Sequence, residues 1–236
     1  MIILFAPAKA MNKQKTYKYQ DLEFNSKTKN LVCKLLTLEK NEFINSFNIS
    51  ENLYDEVFGY YNDFHENEGY KAFELFNGEA YKAFDYNSLS SEGKKQLNDK
   101  VIIIDALYGI IYPNSIIKPY RLDFHTKGLK LVTYWKEDIN NYFSNLDDKD
   151  ILSLASKEFN SLLTKDKNVV SVKFIDEING VQKLISVFNK QMRGKLLRYI
   201  VDTRINRIQD LPIEIDGYYV FEKTNNEIIY LRKQEN

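Results

Sequence analysis

A single cysteine, Cys33, in 236 residues leaves no partner for an internal disulfide, as suits a reducing compartment. It falls in the apolar run Leu31-Val32-Cys33-Lys34-Leu35-Leu36 and reads as a small buried hydrophobe. Two histidines, His65 and His125, are too few for a histidine-rich metal site, and neither metal nor cofactor is expected. No stretch of about 18 apolar residues occurs, so no membrane-crossing helix is expected. Residues 2–5 are apolar, but that run is too short for the core of a signal peptide. The expected setting is the cytoplasm, with no membrane partner, and the expected state is a monomer. Charge of one sign is also missing, because 33 Lys and Arg balance 33 Asp and Glu. That removes a global attraction to polyanions but leaves room for a local patch. Four prolines and nine glycines are scattered without a linker, repeat or low-complexity tract. Residues 1–236 therefore read as one domain, with a helical subregion at about 25–98. Walker, GxGxxG, HExxH, CxxC and GxSxG motifs are absent, and no reaction is assigned.

What is present alternates between two periodicities. Residues 2–5 read as a buried strand ended by Pro7, and Val101-Ile102-Ile103-Ile104 as a second, β-branched and suited to the middle of a sheet. Between residues 25 and 65 apolar positions recur at helical spacing, as in Leu31, Leu35 and Leu38, which predicts two or three amphipathic helices. Residues 70–75 and 79–84 read as short helices separated by Asn77-Gly78, a pair that favours a positive-φ turn. Ser90 is placed to cap a helix around 94–97, and residues 135–146 form another helix. Residues 151–154 read as a strand, with Ser156 capping the next helix. Strands are expected at 169–176 and 183–188 around the hairpin Glu177-Ile178-Asn179-Gly180. A helix follows at 190–206, and a closing hairpin at 218–222 and 227–232. The fold class is α+β (mixed α/β), with a central mixed sheet flanked by helices and a helical insertion carrying a candidate helix-hairpin-helix.

Three segments carry possible chemistry. Residues 183–207 hold seven basic residues, among them Lys190, Arg193, Lys195 and Arg198, against one acid, Asp202. On a helix Lys190, Arg193 and Arg204 project within about 40° of one another. Such a face binds phosphates or is simply solvated. Gly194 inside it costs about 1 kcal/mol relative to Ala, which is understandable if a ligand or a packing neighbour approaches the backbone. Residues 107–123 follow the strongest strand and hold Tyr108, Gly109, Lys118, Tyr120, Arg121 and Asp123. Loops at the carboxyl ends of sheet strands are where ligands bind in open α/β folds. The tyrosines with Lys118 and Arg121 would stack on a base and pair with a phosphate, or the segment is a packed crossover. Ala6-Pro7-Ala8-Lys9 leaves the first strand and brings Lys9 to the same edge.

Taken in order, these segments resemble the YaaA family of bacterial peroxide-stress proteins. Ala6-Pro7-Ala8-Lys9 stands where that family has Ser-Pro-Ala-Lys. Phe76-Asn77-Gly78-Glu79-Ala80-Tyr81 is similar to Phe-x-Gly-Asp-x-Tyr. Leu107-Tyr108-Gly109 leads through Pro113 to Lys118-Pro119-Tyr120-Arg121-Leu122, and Tyr134-Trp135, Leu154-Ala155-Ser156-Lys157-Glu158, Lys190 and Arg193-Gly194 complete the series. The resemblance implies a cytosolic protein that protects DNA and limits free iron during peroxide stress. It also implies double-stranded DNA binding through a basic cleft, aided by a helix-hairpin-helix placed at residues 69–84, with Asn77, Gly78 and Tyr81 at its hairpin. Lys9, Lys118, Arg121, Lys190, Arg193, Gly194, Lys195 and Arg198 are the expected phosphate-binding residues. Pro7, Tyr108, Gly109, Tyr120 and Asp123 are expected to line the cleft. The alternative is an enzyme acting on a nucleotide or another phosphorylated small molecule at the same place. Here alanine replaces the first serine of the turn, and Glu74 and Glu79 make the 73–84 stretch more acidic than a DNA contact would suggest.

Overall fold

Leu4 and its two neighbours on the first strand are completely buried because that strand lies in the middle of the sheet, with a parallel neighbour on each side. The computed structural model describes residues 1–148, 150–163 and 167–234. In chain order the elements begin with β1 (Ile2–Phe5), β2 (Tyr17–Lys18), α1 (Asn25–Leu36), α2 (Lys40–Phe47) and α3 (Tyr54–Asn62). Next come β3 (Glu68–Lys71), α4 (Ala72–Leu75), α5 (Glu79–Phe84), α6 (Ser91–Lys100), β4 (Val101–Asp105), β5 (Gly109–Ile111) and β6 (Ile116–Ile117). The chain continues through α7 (Leu131–Ser144), β7 (Asp150–Ser153), α8 (Lys157–Asn160), β8 (Asn168–Ile178), β9 (Val181–Lys183) and α9 (Ser186–Thr203). It ends with β10 (Glu214–Ile215), β11 (Tyr218–Lys223) and β12 (Glu227–Gln234).

The main sheet runs β10-β11-β12-β8-β7-β1-β4-β5, with β9 on the far half of β8. It is mixed. β1 pairs in parallel with β4 and β7, β7 with β8, and β8 with β12, while β5, β9, β10 and β11 join antiparallel. The fold is therefore mixed α/β, a central mixed sheet flanked by helices. A second, three-stranded sheet joins β2, β3 and β6.

Local chemistry explains most elements. All five residues of β4 are buried, as a strand covered on both faces requires. β8 instead alternates, burying Val170, Val172, Phe174 and Asp176 on the face toward α9. α1 buries Thr28, Leu31, Val32 and Leu35 at helical spacing. Cys33 falls off that stripe and is exposed, contrary to the expectation of burial. The Ser90 hydroxyl accepts the Gly93 amide at 3.0 Å and caps α6 as expected.

Three expectations fail for identifiable reasons. Residues 70–71 are strand rather than helix, because β3 finds partners in β2 and β6 that lie far away in sequence. The strand expected at 183–188 stops at Lys183, where its three pairings with β8 run out, and α9 starts at Ser186. That helix ends at Thr203. Arg204 adopts a left-handed conformation at φ 58°, so it leaves the helix and shares no face with Lys190 and Arg193.

Candidate functional site

Three parallel strands end at one edge of the sheet, and the loops that leave them meet. β1 delivers residues 6–10, β4 delivers Ala106, and β7 delivers Leu154 and Ser156 to the rim of a single cleft of about 510 Å³. This is the carboxyl-end position where open α/β sheets bind ligands. The start of α5, the Tyr120–Phe124 segment and one side of α9 complete the walls. α9 comes that close because Gly194 lets it rest directly on α5. A Cβ at Gly194 would stand 2.0 Å from the Ala80 carbonyl oxygen. Gly194 is thus a packing glycine.

Five cations line the cleft, namely Lys9, Lys82, Arg121, Lys190 and Arg193. Lys9 pairs with Asp123 at 2.6 Å, with both side chains well exposed. Partial burial raises the Asp123 carboxyl pKa. The Lys9 ammonium and the His125 amide, which donates to Oδ1 at 2.9 Å, more than offset this and leave it below its usual value. Arg121 is held through its backbone. The Tyr61 hydroxyl donates to its carbonyl at 2.9 Å and accepts its amide at 3.3 Å. Arg193 is half-buried. Its Nη2 donates to the Val172 carbonyl at 3.4 Å, while its Nε is buried with no partner. Burial pulls its pKa down to about 10. Two acidic groups interleave with the cations. Glu79 accepts from Gln191 at 2.8 Å and lies 3.5 Å from Lys82, and Glu158 meets His125 Nε2 at 2.5 Å.

Beneath the cleft sits Asp105, fully buried at the end of β4. Its Oδ1 accepts the Leu107 and Tyr108 amides at 2.8 and 3.0 Å, and its Oδ2 accepts the Tyr120 hydroxyl. Burial outweighs these three donors and pushes its pKa up to about 6. Tyr120 carries that contact to the cleft surface. Tyr81 opposes it, its hydroxyl donating to the Ala6 carbonyl at 2.8 Å and tying the α5 segment to the β1 loop.

Of the residues expected at the site, Pro7, Lys9, Asn77, Gly78, Tyr81, Tyr120, Arg121, Asp123, Lys190 and Arg193 all line this one cleft. The others are engaged elsewhere. Lys118 is buried, its Nζ bonded to the Glu66 carbonyl and set over the rings of Tyr19 and Phe64. Tyr108 is buried and its hydroxyl accepts the Lys118 amide at 2.9 Å. Gly109 adopts φ +75° against Trp135 and Phe24, where a Cβ would clash at 2.8 and 2.9 Å. Lys195 pairs with Asp216. Arg198 bonds Asp202, the Phe84 and Asp85 carbonyls and the Ser88 hydroxyl, closing the end of α5.

The hairpin also differs from expectation. α4 and α5 have four and six residues, Gly78 is extended at φ −77°, and the Asn77 amide donates to the Ala10 carbonyl at 2.8 Å rather than facing outward. Sequence reasoning assigned no site role to Asp105, Ser156 or Glu158, although Ser156 and Glu158 stand in the resemblance series. The signals were an acid closing the strongest apolar run and two polar residues just past the 151–154 strand. Among the described residues no group of three or more His, Cys, Asp or Glu is placed to hold a metal ion, and no helix is long and apolar enough to cross a membrane.

The description "Peroxide stress protein YaaA" belongs to the family model that matches residues 1–224. A UPF0246 protein of Fusobacterium nucleatum is 30% identical, covering 99% of both chains. One from Malacoplasma penetrans is 34% identical over 98% of this chain and 96% of its own. One from Francisella philomiragia is 31% identical over 89% and 91%.

Proposed function

This chain belongs to the peroxide stress protein YaaA family, and on that footing we propose that its cleft binds the phosphates of double-stranded DNA, in a response that limits oxidative DNA damage and free iron. The observation that carries this reading is the convergence of Lys9, Arg121, Lys190 and Arg193, from three separate stretches of chain, on one cleft of a protein without net charge. Cations gathered on one side of a neutral molecule act as a local phosphate site, since charge distribution rather than total charge governs such binding. Lys82 adds a fifth cation at the α5 wall.

Fluorescence anisotropy with duplex DNA across a salt series tests the reading. Phosphate contacts release counterions, so log affinity falls linearly with log salt, with a slope of roughly −0.9 per contact. Four or five contacts give a slope near −4. A flat response, or no binding at about 50 mM salt, overturns it.

A second reading has its own observation. A cavity of about 510 Å³ lies within the range of small-molecule sites, and the Asp105–Tyr120 pair beneath it would serve as an acid–base couple. On that reading the protein is an enzyme acting on a nucleotide or another phosphorylated small molecule. Calorimetric titration with free nucleotides separates the two, since tight mononucleotide binding with weak DNA binding favours the enzyme.

A further inference from the structure

The volume and lining of the cleft suit a single nucleotide of a bound DNA strand. Its volume, about 510 Å³, is that of a drug-sized pocket. Its polarity is zoned. Phe5, Leu122, Phe124, Leu154 and Phe159 are all at least nine-tenths buried, yet they face the cleft and give it an apolar floor. Phe124 and Phe159 meet edge to face there, with ring centres 5.7 Å apart. The exposed ammonium groups of Lys9, Lys82 and Lys190 stand at the mouth. Between floor and mouth lies the Arg193 guanidinium, with one long bond to a carbonyl, a buried Nε without a partner and, among the described residues, no carboxylate paired to it. A buried cation left in that state is unfavourable unless an anion arrives. Asn77 and Ser156 offer neutral polar groups on the walls.

We propose that this cleft receives one extrahelical nucleotide of a DNA strand, with its base on the apolar floor and its phosphate on Arg193. The lysines at the mouth then hold the phosphates on either side. Enzymes that take a base out of the stack use this division, a snug apolar or aromatic pocket for the base and charge for the backbone. The inference rests on the DNA reading above and adds to it what enters the cleft. It implies that distorted or interrupted duplex is preferred to perfect duplex, because an unpaired nucleotide has less stacking and pairing to lose.

Anisotropy with three duplexes of equal length tests this: fully matched, carrying a one-nucleotide bulge, and carrying an abasic residue at the bulge. The bulged duplex is expected to bind about tenfold more tightly or better than the matched one, and the abasic bulge to lose most of that gain. A 2-aminopurine at the bulge should change its fluorescence on binding. Arg193→Met, which removes the half-buried charge and keeps an unbranched side chain, should lose most of the preference for the bulge. Equal affinity for all three duplexes overturns the inference and leaves the duplex reading standing. No binding to any of them overturns both. Free mononucleotide binding as tightly as the bulged strand also overturns it, in favour of a small-molecule site.

Discussion

The α-carbon of Gly194 faces the Ala80 carbonyl so closely that one added methyl group would come within 2.0 Å of that oxygen. This contact fixes the distance between α9 and α5, and hence between Arg193 on one wall and Lys82 on the other. In an isolated helix, Gly→Ala gains about 1 kcal/mol. Here the obstacle is backbone, which has no rotamer to move aside. Gly194→Ala is expected to destabilise the protein by about 1–3 kcal/mol in urea unfolding, and to weaken DNA binding by spreading the cleft walls. Unchanged or raised stability contradicts the close packing.

Arg198 and Lys190 lie on the same helix, but they should behave oppositely. Arg198→Ala removes bonds to the Phe84 and Asp85 carbonyls at 3.2 and 3.0 Å. It is expected to cost about 1–3 kcal/mol of stability while leaving the salt slope of DNA binding unchanged. Lys190→Ala should cost little stability and reduce the slope by roughly one contact. Parallel stability and salt-series measurements on both variants check this, and a shallower slope for Arg198→Ala refutes the division.

Asp105 gives a pH signature. Its carboxyl keeps its proton up to about pH 6 in the folded protein, but only up to its ordinary value of 3.8 when unfolded. Between these values the folded state binds the extra proton. This group's contribution to stability therefore falls as pH rises through the window, by about 3 kcal/mol in all, and is flat above it. Asp105→Asn lacks that fall. The stability of wild type relative to the variant should drop by that amount between about pH 4 and about pH 7, measured by urea unfolding. A pH-independent difference means that the three hydrogen bonds hold the carboxyl near its ordinary pKa.

Asp123 is expected to restrain the site. Its pair with Lys9 is exposed, so losing it should change stability by less than about 1 kcal/mol. Asp123→Asn frees the Lys9 ammonium and removes a negative charge from the cleft. DNA affinity at low salt should rise several-fold, chiefly through faster association, and the gain should shrink as salt screens it. Stopped-flow association rates at two salt concentrations check both points, and slower association overturns the restraint.

Elements that announce themselves within one window were legible in the sequence. β1, β4, α1 and the β11–β12 hairpin follow from runs or periodicities of four to twelve residues. The β2-β3-β6 sheet did not, because strands of two to four residues carry no readable period and their pairings are distant. Arg198 was misassigned for a related reason. Its partners are carbonyls on a helix end more than a hundred positions away, and a carbonyl leaves no mark in a sequence. The cleft was half legible. The loop after β1 and the segment after β4 were expected at the same sheet edge, which brought Lys9 and Arg121 together in advance. Lys118 and Tyr108 belong to the same 107–123 segment as Arg121, yet they turn into the core, where the Tyr108 hydroxyl meets the Lys118 amide and the rings of Tyr19 and Phe64 take the Lys118 ammonium.

β1 lies between β4 and β7, whose residues follow it by about a hundred and a hundred and fifty positions. During synthesis β1 therefore appears well before either neighbour, an apolar segment with both edges unpaired until β4 and then β7 follow. Non-local pairing of this kind raises contact order and slows folding. It also leaves the waiting strand open to chaperones or aggregation. The loop that carries Lys9 gains its shape only when both neighbours arrive, so the cleft takes form late, once β7 is in place.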